Sequence, residues 1–232
     1  MSSLQFGGVQ MLTVSNRINR LSQGLILVSS VLIALLSLRI LVLGMDVGFP
    51  QLMHHDPDRT VVFWVHVLAG STALLVMPWQ FIKRLRLFSP LLHRCLGWIY
   101  IVAVLLAGLA GAALAPFAAT NGFAGAGFLM LAAVWLATTG QAFIYAWERR
   151  IVDHQRWMVR SAALTFAAVT LRVMLTVSIP LGADFDIAYP IIAWACWVPN
   201  LLVVELYLAR WRRPSGSAEV KLLNYTPVAV ND

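Results

Sequence analysis

The chain has 232 residues, of which 60% are hydrophobic and 12% charged, with a mean hydropathy of +0.78 and a formal net charge of +7. A soluble domain of this length carries about a quarter charged residues, so the composition excludes an ordinary globular enzyme. Aromatic residues at 11%, with nine Trp, exclude a disordered chain as well. Lipid is the expected solvent.

Six apolar runs follow in chain order, at about 24–44, 61–82, 91–115, 125–147, 157–181 and 189–210. Each is long enough as a helix to cross roughly 30 Å of hydrocarbon. The expected fold is therefore all-α, a polytopic bundle of transmembrane helices over 24–211, with a short N-terminal segment (1–23) and a polar tail (212–232). The first run starts too far from the N-terminus for a cleaved signal peptide and lacks a small-x-small site, so it reads as an anchor.

Orientation comes from the basic residues, because short loops rich in Lys and Arg stay cytoplasmic. Fourteen of the seventeen fall on one side: Arg17, Arg20, Lys83, Arg84, Arg86, Arg94, Arg149, Arg150, Arg156, Arg160, Arg210, Arg212, Arg213 and Lys221. The other side carries Arg59 against Asp46, Asp56, Asp58, Asp184 and Asp186. Both termini are expected in the cytoplasm. The net charge is then mostly topology: anionic lipid headgroups are the expected partners of the basic rim, and nucleic acid is not. Cys95 and Cys196 have no zinc or redox spacing and read as packed free thiols. Gly108, Ala110, Gly111 and Ala112 in the third run, and Gly122, Gly125 and Gly127 at the start of the fourth, are material for close helix packing.

Ionisable residues at membrane depth cost a few kcal/mol and normally face the bundle interior, a water path or the interface. His54 and His55, beside Asp56 and Asp58, read as a solvated outer loop or a weak metal site. At about 1.5 Å of rise per residue, His66, Arg39 and Arg172 reach a common level in the outer half. Two readings of that layer stand side by side. The arginines snorkel to Asp46, Asp184 or Asp186, or they turn inward with His66 to bind an anionic or quinone-like group or relay protons.

His93 and His154 lie in the first turns of their helices on the basic side, one after Ser89-Pro90 and the other beside Asp153, both expected as helix caps. The helix dipole and the neighbouring Arg94, Arg156 and Arg160 disfavour protonated imidazole there, and neutral imidazole is what a metal needs. His66-x3-Gly70 and His93-x3-Gly97 put a glycine one turn along the same face, which suits a flat ligand or close packing. Gln80 to His93 and Gln141 to His154 are matching intervals at an offset of 61. A pseudo-symmetric pair of hairpins would hold both histidines at equal depth, as axial ligands of one haem b would be; interfacial or headgroup contacts are the plainer alternative. The fourth run has no His, which disfavours two haems. Glu205 is expected to snorkel, and no hydrolase, P-loop or zinc-protease motif is present.

The stretch from His66 to Tyr100, with Pro78, Gln80, Phe81, His93, Arg94 and Gly97, and the stretch from Asp153 to Leu175, with His154, Trp157, Met158, Arg160, Ser161 and Arg172, resemble the bacterial membrane-protein family called Domain of Unknown Function 2306 over roughly 61–180. The resemblance implies a fold, a bacterial inner (plasma) membrane as location, and a residue set without a reaction. More loosely, the pattern is similar to the ascorbate-reducible transmembrane cytochromes b and to small maturation factors of haem–copper oxidases. Three functions follow as expectations. One is a redox-associated protein holding one haem b between His93 and His154, with Arg94, Arg156 and Arg160 near the propionates, or holding a quinone. The second is an accessory subunit bound to another membrane complex. The third is a small transporter or proton path.

Overall fold

The computed structural model describes residues 5–39, 41–43, 58–119 and 122–211, with side chains from residue 21 to residue 210. His54, His55, Asp46 and the polar tail lie outside the described residues. Those described form helices, 3-10 turns and short connections, with no strand among them. Six spans are long and apolar enough to cross a membrane: Leu21–Leu43, Thr60–Phe81, Pro90–Phe117, Gly122–Trp147, Ile151–Ser178 and Phe185–Arg210.

The first span belongs to α1 (Gln5–Leu38), a helix that starts well before the expected residue 24. The second is α2 (Thr60–Val76), which tightens into a 3-10 turn, Met77–Phe81, where Pro78 removes a backbone donor. A short basic helix, α3 (Lys83–Phe88), leads to α4 (Pro90–Leu114), with Ser89 at its N-cap and Pro90 in its first turn as expected. After the 3-10 turn Ala115–Phe117 comes α5 (Gly122–Trp147). The fifth span begins at Ile151, earlier than the hydropathy suggests, and breaks at Phe166 into α6 (Ile151–Thr165) and α7 (Ala167–Ser178). The sixth breaks at Cys196 into α8 (Phe185–Ala195) and α9 (Val198–Trp211). Asp153 is not the cap of its helix: Arg150 occupies the N-cap, and the Asp153 carboxylate instead accepts from Arg150 at 2.9 Å and lies 3.5 Å from Arg156.

α4 packs between α2 and α5, and α5 carries α6 and α8 on its other faces. Large apolar side chains such as Leu109 (56% exposed) and Leu206 (64%) cover the outside, as lipid contact demands. Cys196 is buried as expected, but Cys95 is exposed on that outer surface, because it lies on the face of α4 opposite the core. Small residues do set the helix approach. A Cβ on Gly108 would come 2.7 Å from Leu136, one on Gly127 2.9 Å from the Trp194 indole, and one on Gly125 2.5 Å from the Ala115 carbonyl oxygen. Gly122, by contrast, faces open space.

The turn between α5 and α6 closes with paired bonds, Arg150 N–H to Tyr145 O and Arg149 N–H to Ala146 O, which place Arg149 at φ 59°. Glycine ordinarily fills this left-handed position, as Gly182 does at φ 90° after α7.

Two expectations follow for thermal unfolding in mild detergent. Gly125→Ala meets backbone and should lose about 1–3 kcal/mol, whereas Gly140→Ala, with nothing within 4 Å of its Cβ, should be neutral or gain up to about 1 kcal/mol from helix propensity. Arg149→Gly should raise stability by about 1 kcal/mol by relieving the left-handed strain; a lower melting temperature would show that the Arg149 side chain contributes more than its backbone costs.

Candidate functional site

The bundle interior carries polar groups at three levels. At the basic end, His93 and His154 sit in the first turns of α4 and α6, both half-buried. His154 Nδ1 lies 2.8 Å from the Ala142 carbonyl, which can only accept, so Nδ1 carries the proton and a neutral ring presents Nε2 as a lone pair. His93 Nδ1 is buried with no hydrogen-bond partner among the described residues, and so is Nε2 of the Gln80 side chain from the 3-10 turn. The Gln80 Oε1 stands 3.7 Å from where a Gly97 Cβ would be. The Gln80 carboxamide thus lies in ordinary contact beside Gly97, between the levels of His93 and Tyr100, and Gly70 similarly faces the Ala107 methyl at 3.9 Å.

The arginines around this end are mostly engaged. Arg160 forks onto Glu205, with Nε at 2.5 Å and Nη2 at 2.9 Å from the two carboxylate oxygens, and its guanidinium lies 4.8 Å from the Trp157 ring centre. Glu205, with its side chain 46% exposed, is thus a partner of α6. Arg156 approaches Asp153, Arg86 donates to the Gln80 carbonyl at 3.4 Å, and Arg94 is exposed.

The middle level is a knot of hydroxyls that the sequence does not announce. Tyr100, with no exposed surface, places its phenol oxygen 2.7 Å from Ser161 Oγ and 2.7 Å from Thr165 Oγ1. Ser161 Oγ also lies 2.6 Å from Thr139 Oγ1, and the Trp135 indole N–H donates to Thr165 at 3.0 Å. Three helices, α4, α5 and α6, are tied here by side chains alone. Tyr100 and Ser161 are separated by 61 residues, the interval that separates His93 from His154, so matched positions of the two hairpins do stand at one height. The signal available beforehand was spacing: His93, Gly97 and Tyr100 share one face of α4, and His154, Ser161 and Thr165 one face of α6.

The third level is a cavity of about 240 Å³ beyond the knot, lined by His66, Arg172, Trp135, Thr165, Ser71 and a largely apolar wall. Its walls are built by small residues. A Cβ at Gly111 would lie 3.0 Å from the His66 ring, and His66 Nδ1 reaches the Ala107 carbonyl at 2.9 Å, which turns Nε2 away from that bond. Arg172 lines the cavity and donates Nη1–H to Ala168 O at 3.0 Å, one turn back on its own chain; no carboxylate among the described residues is within ion-pair distance of it. Of the outer layer, His66 and Arg172 are brought together in one wall, while Arg39 is exposed and does not line the cavity.

A six-span integral membrane protein whose interior carries a continuous set of polar groups is the class that this fold and site define. The chain belongs to the family described as predicted membrane protein (DUF2306), which it matches over residues 63–208, from the second span to near the end of the sixth. No curated protein and no solved structure matches it.

Replacement of Ser161 by Ala removes two hydroxyl bonds and should cost about 1–3 kcal/mol, with Tyr100 keeping Thr165 and Thr139 keeping the Trp135 carbonyl. Tyr100→Phe also removes two, while Ser161 keeps Thr139 and Thr165 keeps Trp135, and should cost a similar amount. Melting temperatures in detergent check both.

Proposed function

We propose that this protein binds a small amphipathic molecule with a quinone-like or anionic head in the cavity walled by His66 and Arg172, with the basic ends of its spans facing the cytoplasm of the bacterial inner membrane. The observation that carries the reading is the pairing, in one mostly apolar cavity, of a histidine with one ring nitrogen already committed and an arginine without a described counter-ion. An apolar pocket with a few convergent polar groups is the usual form of a small-molecule site, and about 240 Å³ lies just below the roughly 300 Å³ at which drug-sized sites begin. A single-ring head fits such a volume. Arg172 N–H groups would donate to a carbonyl or anionic oxygen, and neutral His66 Nε2 would accept from a hydroxyl.

Titration of the purified protein with a short-chain ubiquinone analogue tests this, because Trp135 stands in the cavity wall and its fluorescence reports occupancy. Saturable quenching is expected, with at least a tenfold weaker apparent affinity for Arg172→Gln, equivalent to about 1.4 kcal/mol. Quenching that only rises linearly with the analogue, or is identical in the variant, overturns the reading.

A second reading, one haem b between His93 and His154, is favoured by the free Nε2 of His154 and the partnerless Nδ1 of His93. It ranks lower because neither histidine lines that cavity, and Arg156 and Arg160 already hold carboxylates rather than standing free for propionates. Protein expressed with added haem should then show a dithionite-dependent b-type band that His154→Ala abolishes; its absence in the parent protein removes this reading.

A further inference from the structure

The three polar levels lie on one line through the bundle. On α4 the positions are His93, Gly97, Tyr100, Val104, Ala107 and Gly111; on α6 and α7 they are His154, Met158, Ser161, Thr165, Ala168 and Arg172, the same spacing displaced by 61 residues. From His154 to Arg172 is 18 residues, a rise of about 27 Å at 1.5 Å per residue, against a hydrocarbon thickness of about 30 Å. The line therefore runs nearly the whole depth of a membrane.

Its parts connect in a definite order. Gln80 lies beside Gly97, one turn from both His93 and Tyr100, and its buried Nε2 has no protein partner among the described residues. Next come Thr139, Ser161, Tyr100 and Thr165, hydroxyl to hydroxyl at 2.6, 2.7 and 2.7 Å. In each of these three contacts either oxygen can be the donor. Thr165 then opens on the cavity that holds His66 and Arg172. Such a chain can reverse its hydrogen-bond direction, which is what handing a proton along it requires: each hydroxyl takes a proton on one side and releases its own on the other. Side branches leave the line at both threonines: the tryptophan N–H on Thr165 can donate and never accept, while Thr165 and Thr139 also reach the Ser161 and Trp135 carbonyls at 2.9 and 2.8 Å, bonds each hydroxyl releases when it turns along the line.

We propose that this line conducts protons across the membrane. Water completes it at two places, in the cavity, which has polar partners and room for it, and beside the partnerless Gln80 amide. No net chemistry is involved: a proton enters at the His93/His154 end and one leaves past His66, or the reverse, with every hydroxyl restored. Tyr100 is the only hydroxyl bridging Ser161 Oγ and Thr165 Oγ1 among the described residues, so its phenol is the obligatory middle step. Conduction does not depend on the nature of the cavity's ligand.

The full chain, reconstituted in phosphatidylethanolamine–phosphatidylglycerol vesicles loaded with a pH-sensitive dye and driven by a valinomycin potassium potential, gives the test with no quinone present. Proton entry well above protein-free vesicles is expected, falling at least tenfold in Tyr100→Phe and staying at the parent rate in Thr72→Ala, whose hydroxyl only bonds Leu68 O on its own helix. A parent rate equal to that of empty vesicles, or Tyr100→Phe conducting as the parent does, overturns the proposal. Should Tyr100→Phe fail to assemble, Gln80→Leu decides in its place: it removes a partnerless amide, keeps its bulk, and should conduct at least tenfold less. Failure of quinone titration leaves this result intact, and the two readings are thereby separable.

Discussion

In hydrocarbon there is no solvent to take up a stray donor, so the Tyr100 phenol constrains everything around it. Its oxygen must be matched by groups on other helices, and Ser161 and Thr165 supply them only if α6 stands at one height and rotation relative to α4. Thr139 and Trp135 fix α5 to the same point. Dispersion and small-residue contacts bring these helices together, and the hydroxyl bonds add a penalty for any sliding that would leave the phenol unmatched. The hydroxyl knot is what selects one register, and through it the heights of His93, His154, His66 and Arg172.

That register also explains why the interior polar groups divide into engaged and unengaged sets. Arg160, anchored on Glu205, and Arg156, near Asp153, brace the basic end of α6 against α9 and against its own first turn. Gln80 and His93 are left with buried nitrogens that no described residue satisfies. Such atoms are costly, and their persistence next to a fully satisfied knot argues for partners from outside the chain.

The sequence carries the larger pattern openly: six runs, alternating basic ends, and histidines at matching offsets are all properties of composition and spacing. What it hides is the choice each hydroxyl makes. Ser37 and Thr72 return their protons to carbonyls four residues back on their own helices, which is the local option open to any Ser or Thr in a helix. Ser161 instead meets Tyr100 and Thr139, and Thr165 does both, bonding Ser161 O four residues back while reaching Tyr100; nothing within a few residues of them distinguishes these behaviours. The contact of Gln80 with Gly97, and the pairing of Arg160 with Glu205 across 45 positions, are hidden for the same reason. Arg172 was ambiguous between surface and interior because helix rise gives its depth and leaves its direction open; the bond to Ala168 and its place in the cavity wall give the direction.

The breaks at Phe166 and Cys196 acquire a mechanical meaning through Asn200. Its side-chain amide nitrogen reaches Ala163 O at 3.3 Å, Cys196 O at 3.0 Å and Thr170 Oγ1 at 3.0 Å, stitching both interruptions at one level. The fifth and sixth spans are thus each two rods sharing a single pivot. The rods on one side, α6 and α9, are locked by the knot and by Arg160–Glu205; those on the other, α7 and α8, carry Arg172 and the Tyr189 edge of the cavity. One amide thus sets the angle at which α7 and α8, and with them Arg172 and Tyr189, meet the braced half of the bundle.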